Sequence, residues 1–152
     1  MKLAKRLFIL LISLLIIPVQ IFAYSPTASI PDTVYFTDGS YSIIQIEIIE
    51  TRALSTTSAK KIHTHYDSLG NEVWSVALNT TFSYDGQTSK CDVANITINI
   101  SGSGWYTVSR SASRDGNTGS CTVVMGYKLF GITTDKKTVE MSISCDKNGN
   151  IS

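Results

Sequence analysis

Two histidines separated by a single residue are the first candidates for chemistry in this chain. His63 and His65 are its only histidines, and on a β-strand residues i and i+2 project from the same face. Two imidazoles placed in this way can ligate Zn²⁺ or Cu²⁺ if Asp67 or Glu72, across the next turn, supplies a third ligand. The alternative is a solvated strand face that binds no metal. The sequence favours this alternative, and we expect no cofactor.

The cysteines are the second candidates, and their number is odd. Cys91, Cys121 and Cys145 allow three pairings, each leaving one thiol over. Cys91 precedes one strand-like run and Cys145 ends another, and a disulfide between them would close a loop of 54 residues (145 minus 91). Closing such a loop stabilises a fold by about 4 kcal/mol on the chain-entropy model. Cys121 alternates with apolar residues, which favours a buried side chain over a reactive thiol.

Trp105 is the third candidate, because exposed tryptophans often anchor ligands at binding surfaces. It follows the sequence Ser101-Gly-Ser-Gly104, from which it could project and bind a glycan or a protein. It could equally fill the core beside Cys91 and Cys145, since immunoglobulin-type sandwiches place a tryptophan against a disulfide in the order Cys, Trp, Cys. The start of a strand at Trp105 favours the core.

Signatures of catalysis are missing from the sequence. It contains no Gly-x-Ser-x-Gly elbow and no phosphate-binding glycine loop, and its two histidines lie on one predicted strand. We therefore expect that the protein is not an enzyme.

Residues 1–23 have the form of a secretory signal peptide. A basic start precedes the apolar run 7–17, which ends before Pro18, short of the ~20 residues that a spanning helix needs. We expect cleavage after Ala23, the alternative being retention as an N-terminal anchor. The mature chain would then enter an oxidising compartment without a stable membrane span, where disulfides can form.

The charge of the mature chain excludes one class of partner. Without the three basic residues of the leader, ten basic and twelve acidic residues remain, a net charge of −2. A nucleic-acid binder normally carries a strongly basic face. We expect no nucleic-acid partner.

Alternating side chains predict the fold. Trp74 to Tyr84 carries large side chains on one face and small ones on the other, as in a strand with one buried face. Similar segments separated by turn residues follow, and the count is about seven strands with no helix outside the leader. The predicted fold class is all-β, an immunoglobulin-like antiparallel β-sandwich.

The predicted organisation has three parts. Residues 1–23 are the signal peptide, and residues 24–59 are a flexible N-terminal segment with a hairpin around Asp38-Gly39. Within that segment the small polar residues 51–59 are interpreted as a linker. Residues 60–152 form the β-sandwich domain.

Several short motifs carry a family resemblance. They are Glu72-Val-Trp-Ser-Val, Thr81-Phe-Ser-Tyr-Asp-Gly86, Ser111-Ala-Ser-Arg-Asp-Gly-Asn117 and Cys145-Asp-Lys-Asn-Gly-Asn-Ile-Ser152. With them, the chain resembles a family of small, uncharacterised, secreted, Ser/Thr-rich β proteins of Gram-positive, Firmicutes-type bacteria. The resemblance implies cysteines at the positions of Cys91 and Cys145, which supports their pairing, whereas Cys121 stands where a small residue such as Ala is usual. It implies a fold and a compartment but no activity.

These observations favour a noncatalytic module. We expect a secreted protein that binds or coats at the cell envelope or in the medium, with an envelope glycan, a host glycan or a protein as partner. The alternative is a secreted effector, such as a bacteriocin-like toxin or an enzyme inhibitor, which small size and a disulfide would suit. A metal site at His63 and His65 is the third hypothesis.

Overall fold

The structure is a computed structural model that describes residues 31–49 and 55–152. Throughout these residues the regular structure is β-strand, because β-branched and aromatic side chains alternate with small polar ones. The strands are β1 (Asp32–Tyr35), β2 (Tyr41–Ile49), β3 (Thr56–Tyr66), β4 (Glu72–Tyr84), β5 (Ser89–Ile100), β6 (Trp105–Asp115), β7 (Thr118–Leu129) and β8 (Ile132–Ser144).

The eight strands form two antiparallel sheets. One has five strands in the order β1-β2-β3-β4-β5 and the other has three in the order β6-β7-β8. The prediction of an all-β antiparallel sandwich is confirmed, with eight strands because the short first arm of the N-terminal hairpin is a strand of its own. Within each sheet the strands pair only with neighbours in sequence, so the likeness to immunoglobulin sandwiches lies in the layering rather than in the strand order.

The N-terminal hairpin is continuous with the larger sheet. β2 pairs with β3 along its whole length, from Tyr41 opposite Tyr66 to Ile49 opposite Ser58. β3 already begins at Thr56, so residues 56–59, which the sequence analysis assigns to a linker, are strand residues. Their small side chains alternate between half-buried and buried, as in a strand that pairs with β4 and its larger side chains. The predicted signal peptide lies outside the described residues.

The core lies between the sheets and is built around β4. The alternating side chains of this strand are almost completely buried, as its pattern predicts, and β7 and β8 supply the facing side chains. The largest core members are Trp74, Val76, Leu78, Phe82, Val123, Met125, Val139, Met141 and Ile143. Cys121 is also buried there, with 4% of its surface exposed.

None of the described residues forms a helix long and apolar enough to cross a membrane.

The two sheets approach each other closely at a glycine of β7. A Cβ atom added to Gly119 on β7 would lie 2.7 Å from the Thr80 Cγ2 atom and 3.0 Å from the Cys91 Sγ atom, both on the opposite sheet. Real side chains do not pack at such distances, so the sheets would have to separate.

We therefore expect Gly119→Ala to lower the free energy of unfolding by about 1–3 kcal/mol through overpacking. Urea denaturation measures the change, and Ser113→Ala on the exposed face of β6 is the matched control. A loss below about 0.5 kcal/mol, the range of neutral surface substitutions, would contradict this packing.

Candidate functional site

Both histidines face the core instead of the solvent. The rings of His63 and His65 stack on Trp74, with centroid distances of 5.5 and 4.9 Å. The two imidazoles thus lie on one side of β3, as the spacing predicts, but the interpretation of that side as a solvated face is wrong. Large inward side chains come from β4, which allows β3 to present smaller polar ones to the same interior.

Trp105 joins this aromatic cluster from the other sheet. Its ring lies 5.9 Å from Trp74 and 5.4 Å from Tyr127, between ring centroids, and it packs half-buried against the core. The prediction that Trp105 packs beside Cys91 and Cys145 is wrong. Cys91 pairs with Phe82, which lies eight residues, or about 26 Å, along β4 from Trp74 at roughly 3.3 Å per residue.

A cleft of about 280 Å³ opens beside the cluster, between β3 and β4 on one side and β8 on the other. This volume is near the lower end of the range for small-molecule sites, about 300–1,000 Å³. The residues that line the cleft are Phe36, His63, Trp74, Lys136, Lys137, Thr138 and Val139. Sequence reasoning identified His63 as a candidate and missed the other six, because β8 meets β3 and β4 only through the packing of the sheets.

One wall of the cleft contains an unsatisfied hydrogen-bond donor. The Trp74 side chain is 1% exposed, and its Nε1–H group has no acceptor among the described residues. Leaving a buried donor unpaired costs about 1–3 kcal/mol, so nearly all such groups in folded proteins have a partner. Because Trp74 also lines the cleft, its unpaired donor is a candidate contact for a ligand.

The charges at the cleft are largely balanced. The Lys137 Nζ atom lies 4.1 Å from the centroid of the Phe36 ring and 3.7 Å from a carboxylate oxygen of both Asp38 and Asp135. Hydrogen bonds from Ser40 lower the pKa of Asp38, which keeps this carboxylate charged. Lys137 is therefore held in place, and Lys136 contributes the unbalanced positive charge.

A buried serine–histidine pair lies beside the cluster and has no signature in the local sequence. The Ser42 Oγ and His65 Nδ1 atoms are 3.1 Å apart, and the two residues are 0% and 2% exposed. A serine activated by histidine is a familiar nucleophile, but burial keeps a substrate in solvent away from this hydroxyl. The pair satisfies two polar groups inside the core, and only the register of β2 against β3 could have indicated it.

The histidines lie outside any cluster with three potential metal ligands. In the part of the chain that the structure describes, no group of three His, Cys, Asp or Glu side chains could hold a metal ion. Asp67, a predicted third ligand, instead accepts hydrogen bonds from the backbone N–H groups of Leu69 and Asn71 within its turn. The geometry therefore gives no support to the metal hypothesis.

The cysteines form a second region of interest at the other end of the sandwich. The backbone N–H groups of Cys91 and Cys145 donate to the carbonyl oxygens of Gly116 and Asn117, at 2.9 and 3.1 Å. All three cysteines are buried free thiols in the structure, so the predicted disulfide is not formed in it. Burial raises the pKa of all three, and the negative charges of Asp146 and then of Cys91 raise that of Cys145 further.

Comparison of the chain with models of known families, with curated proteins and with solved structures gives no significant match. The resemblance to secreted Ser/Thr-rich proteins is therefore carried by the sequence motifs alone.

The buried histidines predict a pH dependence of stability. Burial lowers the pKa of both His63 and His65 from 6.5 to about 4. The unfolded chain then binds more protons than the folded one between these values, so stability is fully present above pH 6.5 and falls as the pH drops through 4. We expect a loss on the order of a few kcal/mol from pH 7 to pH 4 in urea titrations.

The double variant His63→Gln/His65→Gln separates this effect from that of the carboxylates. The lowered pKa values of Asp38, Asp67, Asp85 and Asp146 affect stability mainly below about pH 5, where carboxyls with the ordinary value of 3.8 begin to take up protons in the unfolded chain. The variant should flatten the slope between about pH 6.5 and 5, where only the histidines contribute, and keep the decline below it. An unchanged slope in the upper range would show that the histidines are not responsible.

Proposed function

We propose that this protein is a noncatalytic binding module of the extracellular space or the cell envelope, and that it binds its ligand in the cleft beside Trp74. The observation that carries the proposal is the buried indole N–H group of Trp74, which has no acceptor among the described residues. A rigid binding site commonly combines apolar walls with a few polar groups of fixed position. Phe36, Trp74 and Lys136 supply these elements here.

A saccharide unit fits this chemistry best. Its ring oxygen and hydroxyl groups are acceptors for the Trp74 N–H group, and its apolar C–H face packs against aromatic side chains. A strongly anionic ligand is less suitable, because Asp38 and Asp135 balance the charge of Lys137. The small volume of the cleft, about 280 Å³, favours one ring or the end of a chain.

Binding without catalysis is supported by the placement of the polar groups. The Ser42 hydroxyl is buried next to His65, and a histidine with its pKa lowered to about 4 is a weak general base at neutral pH. The buried environment of Ser42 and His65 therefore suits a structural role for this pair better than a catalytic one.

The proposal predicts binding to cell-wall polysaccharide through Phe36. Purified chain starting at Tyr24 should co-sediment with insoluble peptidoglycan, and Phe36→Ala should weaken binding about tenfold, since loss of a central aromatic contact typically costs more than 1 kcal/mol. Tyr35→Ala is the matched control, because Tyr35 is 77% exposed and its ring lies 5.9 Å from that of Tyr41, outside the cleft. Growth assays on neighbouring bacteria accompany the measurement.

Equal binding by Phe36→Ala and the wild-type chain would place the ligand elsewhere. Absence of binding to peptidoglycan and to host glycans on beads would refute the proposal. Growth inhibition without envelope binding would favour the alternative function, a secreted toxin or enzyme inhibitor.

We further propose that Cys91 and Cys145 form a disulfide in the secreted protein, with Cys121 as the remaining thiol. Their backbone N–H groups donate to adjacent residues of one turn, Gly116 and Asn117, and both side chains belong to the same buried core cluster. Cys121 is in the register of the core, opposite Met141 and Ala112. The bond would join the start of β5 to the residue after β8, and thus one sheet to the end of the other.

Thiol labelling of the native secreted protein tests the pairing. After denaturation without reductant, intact mass spectrometry should show one labelled cysteine, and Cys121→Ala should show none. The same mass gives the position of leader cleavage, expected after Ala23. Two or three labels on the wild-type chain would contradict the disulfide.

A further inference from the structure

The hairpin that joins β7 to β8 ends in an exposed apolar tip, residues 129–132. Leu129, Phe130 and Ile132 are 47%, 96% and 69% exposed. Single exposed apolar residues are common on protein surfaces, but contiguous ones generally mark an interaction site.

Phe130 is unfavourable for the turn as well as for solubility. Its φ angle is 50° and that of Gly131 is 82°, so both central residues of this two-residue turn have positive φ. Such turns favour Asn-Gly, and a bulky residue in this conformation is an outlier. A residue that suits neither the backbone nor the solvent points to a function of the side chain.

Positive charge without a counter-ion lies behind the tip. Lys128 on β7 places its ammonium group 4.5 Å from the centre of the Tyr106 ring, and Lys136 lies on β8. Of the lysines near this hairpin, only Lys137 forms an ion pair within residues 31–49 and 55–152. The tip thus combines an apolar apex with two ammonium groups set back along the strands.

We propose that this tip inserts into the surface of a lipid bilayer that contains anionic phospholipids. The side chains of Leu129, Phe130 and Ile132 would enter the boundary between headgroups and acyl chains, while Lys128 and Lys136 remain at the phosphates. A stable protein partner would normally need about 800 Å² and 20–30 residues on each side. A convex four-residue apex offers much less, whereas a bilayer accepts it without a matching shape.

A second apex lies at the same end of the sandwich. Leu69, in the turn between β3 and β4, is 85% exposed. Contacts from Trp74 through Trp105 to Tyr127 connect the base of this turn to the base of the tip. The two hairpins therefore extend from one end of the molecule. Their apolar residues, which carry the proposal, are separate from the cleft, and Lys136 is the one residue that the two sites share.

Vesicle binding tests the proposal with the mature chain. Co-sedimentation compares vesicles of phosphatidylcholine alone with vesicles that also contain about 30% phosphatidylglycerol. About one lipid in three is then anionic, which is enough for a clearly negative surface. We expect stronger binding to the anionic vesicles, weakened by salt. Lys128→Gln should reduce binding to the anionic vesicles roughly fivefold, one lysine's share of the surface attraction.

Phe130→Asn is the decisive variant. Asn adopts positive φ readily, so the melting temperature should rise, while binding to anionic vesicles should fall at least about tenfold through loss of the apolar anchor. Val93→Thr is the control, since Val93 is 38% exposed on β5 and pairs with Thr81 at the other end of the sandwich. Ile132→Ser is a second variant of the tip that leaves the turn residues unchanged.

Three outcomes would overturn the proposal. The wild-type chain could fail to bind either kind of vesicle, or it could bind both kinds equally well. The third outcome is that Phe130→Asn and Ile132→Ser both bind as strongly as the wild-type chain. Failure of the peptidoglycan assay would leave the vesicle result unaffected, so the two proposals fail separately.

Discussion

The core, the buried histidines and the cleft all depend on one contact, which the large side chains of β4 make with the facing strands β7 and β8. Trp74, Val76, Leu78 and Phe82 are at most 1% exposed, and burial of each such side chain stabilises the fold by about 1.5–3 kcal/mol. This contact creates the buried interior in which the histidines stay neutral near pH 7. It also brings β8 against β3 and β4, without which the cleft would not exist.

The predictability of the structure follows the strength of alternation in each strand. β4 and β7 carry large apolar residues at every second position, so their inward faces and the place of Cys121 could be predicted. β3 is different, because its inward residues Thr57, Ala59, His63 and His65 are small or polar and resemble a solvent face. A strand whose neighbour carries large apolar side chains needs little apolar surface of its own. The local sequence of β3 does not reveal that β4 plays this part.

The candidate site was less predictable than the fold. His63 and Trp105 were identified as residues of interest, but their partners come from other strands and the other sheet. The cleft and the Ser42–His65 pair depend on register and on the packing of sheets. The unpaired Trp74 N–H group is a property of the assembled core and has no local signature. Spacing alone therefore suggested metal and surface chemistry where the structure has an aromatic cluster.

The strand order has a consequence for how the chain folds. In both sheets each strand pairs only with its neighbour in sequence, whereas the Greek-key connections of many sandwiches join strands that are distant along the chain. Loop closure is then short for each pairing, which lowers the relative contact order and the entropic barrier to folding. This protein should reach its native state faster than β-sandwiches of similar length that have crossed connections, with docking of the two meanders as the late step.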